Sequence, residues 1–152
     1  MISGNLAGIF GTNAFLITDL TLLVQIAAFI LLLGALVYKA KGKFKIHGAM
    51  MGVAVLVHFL SFIIGMGPSF VEGFSAGALT TEPLHIGVQT LWVHAISGAL
   101  ALVLGFFLVV VWIPKMSEIK SCFRRKRIMD TTILLWTISL IFGIATYIAF
   151  YV

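Results

Sequence analysis

The chain has 152 residues, of which 61% are hydrophobic and only 10% are charged. Soluble globular proteins carry about 25% charged residues, so this composition excludes a water-soluble fold and predicts a single membrane-embedded domain, 1–152. The net charge of +5 comes from ten basic residues. They all fall in two short stretches, 39–45 and 115–127, which indicates membrane topology and not a nucleic-acid-binding surface.

Four apolar segments follow one another along the chain, at residues 15–38, 46–66, 84–113 and 128–151. Each is near the roughly 20 residues that cross the hydrocarbon of a bilayer as a helix. Backbone groups cannot stay unpaired in lipid, and the segments lack the alternation of barrel strands, so we predict four helices. The first segment is too long for a signal-peptide core, and we expect it to be retained.

The connections predict the orientation of these helices. The first (39–45) and the third (114–127) are basic, whereas the middle one (67–83) has no Lys or Arg and carries Glu72 and Glu82. Basic loops stay cytoplasmic, so both termini and the middle loop are expected outside the cell membrane. Short connections favour antiparallel neighbours, and the fold class is therefore an all-α, up-down-up-down bundle. The Gly- and Pro-containing middle loop is expected to be irregular, and the lone Cys122 excludes an internal disulfide.

Histidines are the first candidates for a functional site, because polar groups inside a membrane are costly. His58 lies eight residues before Met66, and His94 lies ten residues after Leu84. At about 1.5 Å per residue, both sit roughly 12–15 Å below the outer end of their helices. Two histidines at matching depth on adjacent helices suit axial coordination of one haem iron. The sequence therefore predicts His58 and His94 as ligands of haem b.

Glycines share the faces of these two histidines. Gly87, Gly98 and Gly105 fall within roughly 40° of His94, at about 100° per residue, and Gly65 shares the face of His58. Glycine removes side-chain bulk, so a porphyrin could lie against the backbone at these four positions. The competing interpretations are that the glycines serve close helix packing with the histidines as structural polar groups, or that the histidines bind a non-haem metal.

Three further residues are weaker candidates for metal ligands. His47 follows four lysines at the inner boundary, where it could ligate a second haem, so the number of haems is left open at one or two. The headgroup region, near a haem propionate, is the favoured place for it. His85 lies at the outer mouth, about 180° around the helix from His94. Met66 offers a thioether, which can bind iron or copper.

Four other polar residues lie in or near the spans. Gln25 and Gln89 are expected to form hydrogen bonds across helices. Asp19 and Asp130 lie near span starts and are expected to cap a helix or interact with its dipole.

The depth match depends on the end from which the two central helices are aligned. If they are aligned from their cytoplasmic ends, with Trp112 opposite Ile46, His94 lies roughly 9 Å above His58. In that register His58 faces a position near Leu100. His85 or Met66 then becomes the competing ligand for an outer haem.

Three stretches carry a resemblance to a known family. The first is residues 41–69, with the motif KFKIH at 43–47, and the second is residues 94–114, with VHA at 93–95. The third begins at residue 124 and consists of a basic loop followed by a Trp-containing helix. They resemble the small four-helix YozB/CtaM-like membrane proteins, which accompany haem–copper oxidases and are linked to oxidase maturation. KIH (45–47) and HAISG (94–98) also resemble pieces of the ascorbate-reducible cytochrome b fold. The chain differs from the first family by lacking a histidine in the basic loop before the last helix.

The leading interpretation is a b-type haem protein in respiratory electron transfer or haem–copper oxidase maturation. No phosphate loop, GxGxxG, HExxH or CxxC motif is present, so an electron carrier or accessory subunit is favoured over a stand-alone enzyme. One alternative is a non-catalytic accessory subunit of a larger membrane complex. Another is a copper- or quinone-handling protein that uses His85, Glu82 and Met66. The expected partners are membrane lipid, other respiratory or oxidase subunits and a quinone, with no nucleic acid.

Overall fold

The computed structural model describes residues 8–115 and 124–152. Its helices are α1 (Leu16–Ala40), α2 (Phe44–Ser61), α3 (Gly67–Ser75), α4 (Ala78–Thr81), α5 (Ile86–Trp112) and α6 (Lys126–Tyr151). Four helical stretches are long and apolar enough to cross a membrane: α1, α2 continued through α3, α5 and α6. The predicted all-α four-helix bundle is confirmed, and the chain is a multi-pass membrane protein that contacts lipid. Cys122 lies outside the described residues.

The second span is longer than predicted. After α2 the chain passes through a π-helical segment, Phe62–Met66, directly into α3. Pro68 is the second residue of α3, and Met66 before it has helical backbone angles, so the helix continues through the proline. The prediction of an irregular connection beginning at residue 67 is therefore wrong over Gly67–Ser75. The chain first turns at Gly77, which has a left-handed φ of 75°, and it turns again at residues 83–84 before α5.

The helices pack chiefly as two antiparallel pairs, α1 with α2 and α5 with α6. Residue numbers along α5 rise as those of their partners on α6 fall: Gly87 faces Phe150, Thr90 bonds Thr146, and Gly98 faces Ser139. The N-terminal segment lies at the same end as the last turn of α6, because the N–H of Asn13 donates to the Tyr151 carbonyl over 3.3 Å. Following the predicted orientation, we call this end the outer end.

The apolar core lies where all four spans meet. It consists of Ala28, Leu32, Ala54, Val55, Ala101 and Trp136. Small residues let membrane helices approach closely where lipid supplies no hydrophobic driving force. Between α2 and α5, Gly48 lies against the Trp112 ring and Gly105 lies against Val55. These contacts place Trp112 near the start of α2, which corresponds to alignment of the central helices from their cytoplasmic ends.

Candidate functional site

His58 on α2 contacts the other three spans. Its side chain is 3% exposed, and its Nδ1 lies 2.8 Å from Oε1 of Gln25 on α1. Its ring packs on Trp136 of α6, with centroids 4.8 Å apart and planes inclined by 41°. The backbone of Gly98 on α5 lies beside the ring. His58 is therefore the polar centre of the bundle.

His94 on α5 binds to α6. Its Nδ1 lies 2.8 Å from the backbone carbonyl oxygen of Ser139, and the Ser139 hydroxyl donates to the His94 carbonyl over 3.1 Å. A carbonyl oxygen only accepts, so Nδ1 of His94 carries the proton and Nε2 keeps its lone pair. Gly143 makes room for the ring, since a Cβ there would lie 2.8 Å from Nδ1. Two residues of α6 therefore accommodate His94: Gly143 leaves space for its ring, and Ser139 accepts its hydrogen bond.

The two histidines do not lie at one level. On α5 the backbone of Gly98 lies beside the His58 ring, and His94 acts on that ring only through its charge. His94 lies four residues earlier on α5, about 6 Å toward the outer end. The prediction that His58 and His94 lie at the same depth, which assumed that α2 and α5 are aligned at their outer ends, is wrong. The contact between Gly48 and Trp112 shows that the two helices are aligned at their cytoplasmic ends. Coordination of a single iron by both rings stays a prediction.

The four glycines predicted to line a porphyrin lie against side chains of other helices. Gly65 faces Thr21, Gly87 faces Phe150, Gly98 faces Ser139 and Gly105 faces Val55. A Cβ added at Gly98 would lie 2.8 Å from the Ser139 hydroxyl, and one at Gly105 would lie 2.9 Å from a methyl group of Val55. In this packing the glycines allow helices to approach each other, as the competing interpretation expects.

A haem fits this site only in part. A histidine with its Nδ1 held by a protein oxygen is the usual form of a metal ligand, and His94 has that arrangement with Ser139. The packing between α2 and α5 does not fit a macrocycle, because Val55 already fills the face of Gly105. Among residues 8–115 and 124–152, no group of three or more His, Cys, Asp or Glu side chains could hold a metal ion.

The weaker candidates are separated from the His58 centre. His47 was expected in the headgroup region, but its side chain is buried and its Nδ1 lies 2.9 Å from the carbonyl of Ala35. His85 is exposed, accepts from the N–H of Gly87 over 3.2 Å and stacks on Phe150. Met66 ends the π-helical segment. The structure brings neither His47 nor His85 to His58.

Sequence reasoning missed a buried polar cluster at the outer end. Asp19 was expected to cap a helix, but its carboxylate accepts from the backbone N–H groups of Ile9 (2.6 Å) and Phe10 (3.2 Å) and from the Tyr147 hydroxyl (2.6 Å). The signal available was an acid inside an apolar span, which requires nearby donors. Its partners could not be chosen without the register of α1 against α6.

Comparison with known protein families, with curated proteins and with solved structures finds no match to this chain. The resemblance to YozB/CtaM-like proteins therefore stays a prediction. What the structure establishes is four long apolar helices that can span a membrane.

Proposed function

We propose that this chain is a non-catalytic accessory subunit of a larger membrane complex, in which its histidines hold the helices in register. The proposal is carried by one observation: all four histidines use a ring nitrogen in a hydrogen bond to another group of the chain. Three of these bonds, those of His47, His58 and His94, join different helices. Histidines bonded in this way act as polar contacts between membrane helices.

The outward faces of the spans support a role within a larger assembly. Large apolar side chains point away from the bundle on all four spans, with Ile30, Val53, Val103 and Leu134 each more than half exposed. In a membrane, these side chains contact lipid or another membrane protein. The described chain is almost entirely helical span, which leaves little mass for a substrate site outside the bilayer.

The test is native mass spectrometry of the protein extracted gently from its own membranes. The expected result is a particle heavier than the 16.5 kDa chain that contains a different polypeptide in fixed ratio. Tryptophan substitutions at Ile30, Val53, Val103 and Leu134 probe one face each. Substitution on the partner-facing side should dissociate the particle, while the other three serve as folded controls. Recovery of this chain alone, as monomer or homo-oligomer, would contradict the proposal.

Haem b binding by His58 and His94 is the second candidate, in respiratory electron transfer or oxidase maturation. It is supported by the free Nε2 lone pair of His94 and by the charge interaction between His94 and His58 across α2 and α5. Bound haem would supply a one-electron centre, and these two histidines would hold its iron.

A reduced-minus-oxidised absorption spectrum of the purified protein tests this candidate. Soret and alpha bands should be lost or converted in His58→Ala and in His94→Ala, and retained in the controls His47→Ala and His85→Ala. A colourless preparation that takes up no added haem removes the candidate and leaves the accessory role standing.

A further inference from the structure

Two buried hydrogen-bond donors lie beside His58 without an acceptor. Nε2 of Gln25 and Nε1 of Trp136 make no hydrogen bond within the described part of the chain. Gln25 is 6% exposed and Trp136 is 2% exposed, so neither N–H group reaches the surroundings of the bundle. Buried polar groups in proteins almost always have a partner, supplied by the protein, by water or by a ligand.

The side chains that carry the two donors contact the same histidine. Oε1 of the Gln25 amide lies 2.8 Å from Nδ1 of His58, and the Trp136 ring covers one face of the imidazole at a centroid distance of 4.8 Å. The ring also has Gly98 within reach on α5. Helices α1, α5 and α6 therefore all contact His58. Two of them, α1 and α6, each contribute a side chain whose N–H group has no acceptor within the described part of the chain.

The backbone of α2 becomes irregular one turn beyond His58. The carbonyl of His58 still accepts the regular α-helical bond from the N–H of Phe62, and the π-helical segment Phe62–Met66 follows. Single π turns within α-helices occur frequently at functional sites, because they redirect side chains and carbonyls from the regular pattern. This feature is independent of the unpaired donors and begins on the turn that follows His58.

We infer that Gln25 and Trp136 together bind one uncharged acceptor oxygen beside His58. The missing partner is an acceptor because both orphaned groups are N–H donors. It is uncharged because an anion at this depth would require a cation, and the site residues are neutral. Two sources share this chemistry: a water molecule, or the carbonyl oxygen of a lipid-soluble ligand of the quinone class.

The main rival arrangement needs no ligand. The oxygen and nitrogen of a glutamine amide are assigned from the network around them. If the Gln25 amide were turned round, its N–H would donate to Nδ1 of His58, and its oxygen would take the place of the orphaned nitrogen. Trp136 could then donate to that oxygen directly. The experiment must separate this internal bond from a bound oxygen.

Solid-state NMR of isotope-labelled, quinone-free protein in lipid bilayers can make that distinction. Polarisation transfer from water protons to both the Trp136 indole and the Gln25 amide would establish water as the source. If transfer is absent, added decylubiquinone should shift both signals in the wild type and leave the Trp136 indole signal unshifted in Gln25→Leu, which would establish a carbonyl ligand. Trp92 on the outer part of α5 is the control indole.

The variant Trp136→Phe removes the N–H group and keeps an aromatic ring on His58. It should abolish the water transfer or the quinone-induced shift at Gln25, whereas Trp92→Phe should leave either signal unchanged. The inference is overturned if neither water nor quinone affects the two groups. It is equally overturned if the Trp136 indole signal changes in Gln25→Leu but responds to neither water nor quinone. That result is expected if a rotated Gln25 amide accepts directly from the indole N–H. Neither outcome bears on the accessory role, which the composition of the extracted particle tests.

Discussion

The Asp19 carboxylate accepts a 2.6 Å hydrogen bond from the Tyr147 hydroxyl, which joins the outer end of α1 to the outer end of α6. The same carboxylate accepts from the N–H groups of Ile9 and Phe10, so it also holds the segment that precedes α1. Its side chain is fully buried. A buried carboxylate is tolerated only where donors surround it, and here three donors converge on one acid.

Asp19→Asn should loosen this end of the bundle. Asparagine keeps the size of the side chain but is neutral, so the charge-assisted hydrogen bonds weaken. When its oxygen accepts from Ile9 and Phe10, its NH₂ group faces the Tyr147 hydroxyl, which must then accept instead of donate. We expect faster amide hydrogen exchange at residues 9–13 and a lower melting temperature in detergent. Tyr147→Phe removes one donor and should have a smaller effect. Asp130→Asn, on an exposed side chain of α6, is the control. Unchanged exchange at residues 9–13 in Asp19→Asn would show that the carboxylate does not hold this segment.

Gly143→Ala should destabilise the protein by about 1–3 kcal/mol, the usual cost of forcing extra volume into a packed site. The new Cβ would lie 2.8 Å from Nδ1 of His94 and 3.0 Å from its Cε1, and the ring is fixed by its bond to Ser139. Gly52→Ala is the matched control on α2, because nothing lies within 4 Å of a Cβ there. Unfolding followed in mixed micelles measures both. Equal stability of the two variants would contradict the packing of His94 against Gly143.

The hydrogen bond between Gln25 and His58 can be measured by a double-mutant cycle. Gln25→Leu and His58→Leu each leave one buried polar partner unsatisfied, whereas the double variant removes both. Bonds between membrane helices contribute about 0.6 kcal/mol on average and at most about 1.7 kcal/mol. We expect the double variant to be more stable than the sum of the single changes by an amount in that range. Strict additivity would mean that the 2.8 Å contact contributes nothing to stability.

The sequence predicts the bounds of the spans well where charges border an apolar run. The first span was expected at 15–38 and is Leu16–Ala40, and the last was expected at 128–151 and is Lys126–Tyr151. The sequence-based prediction fails at residue 67. A Gly-Pro pair there resembles the end of a helix, but Pro68 lies in the first turn of α3. Periodicity alone does not distinguish a helix that continues from one that restarts.

The candidate site was harder to predict for a different reason. A glycine face at helical spacing has the same sequence pattern whether a porphyrin or another helix covers it, and Ser139 covers Gly98. The level of His58 depends on the contact between Gly48 and Trp112, which only tertiary packing reveals. The sequence singled out His58 and His94, but it did not identify Trp136 and Ser139 as their partners.

The orientation of the bundle is the last prediction. In a background with Cys122→Ser, single cysteines replace Glu72 on α3 and Lys41 in the first connection, both of which are exposed. Basic connections stay on the cytoplasmic side. A membrane-impermeant maleimide should therefore label Glu72→Cys in intact cells and Lys41→Cys only after permeabilisation. The two sites control for each other, since permeabilised cells should label both. Labelling of Lys41→Cys alone in intact cells would invert the topology and place the Asp19 cluster at the cytoplasmic end.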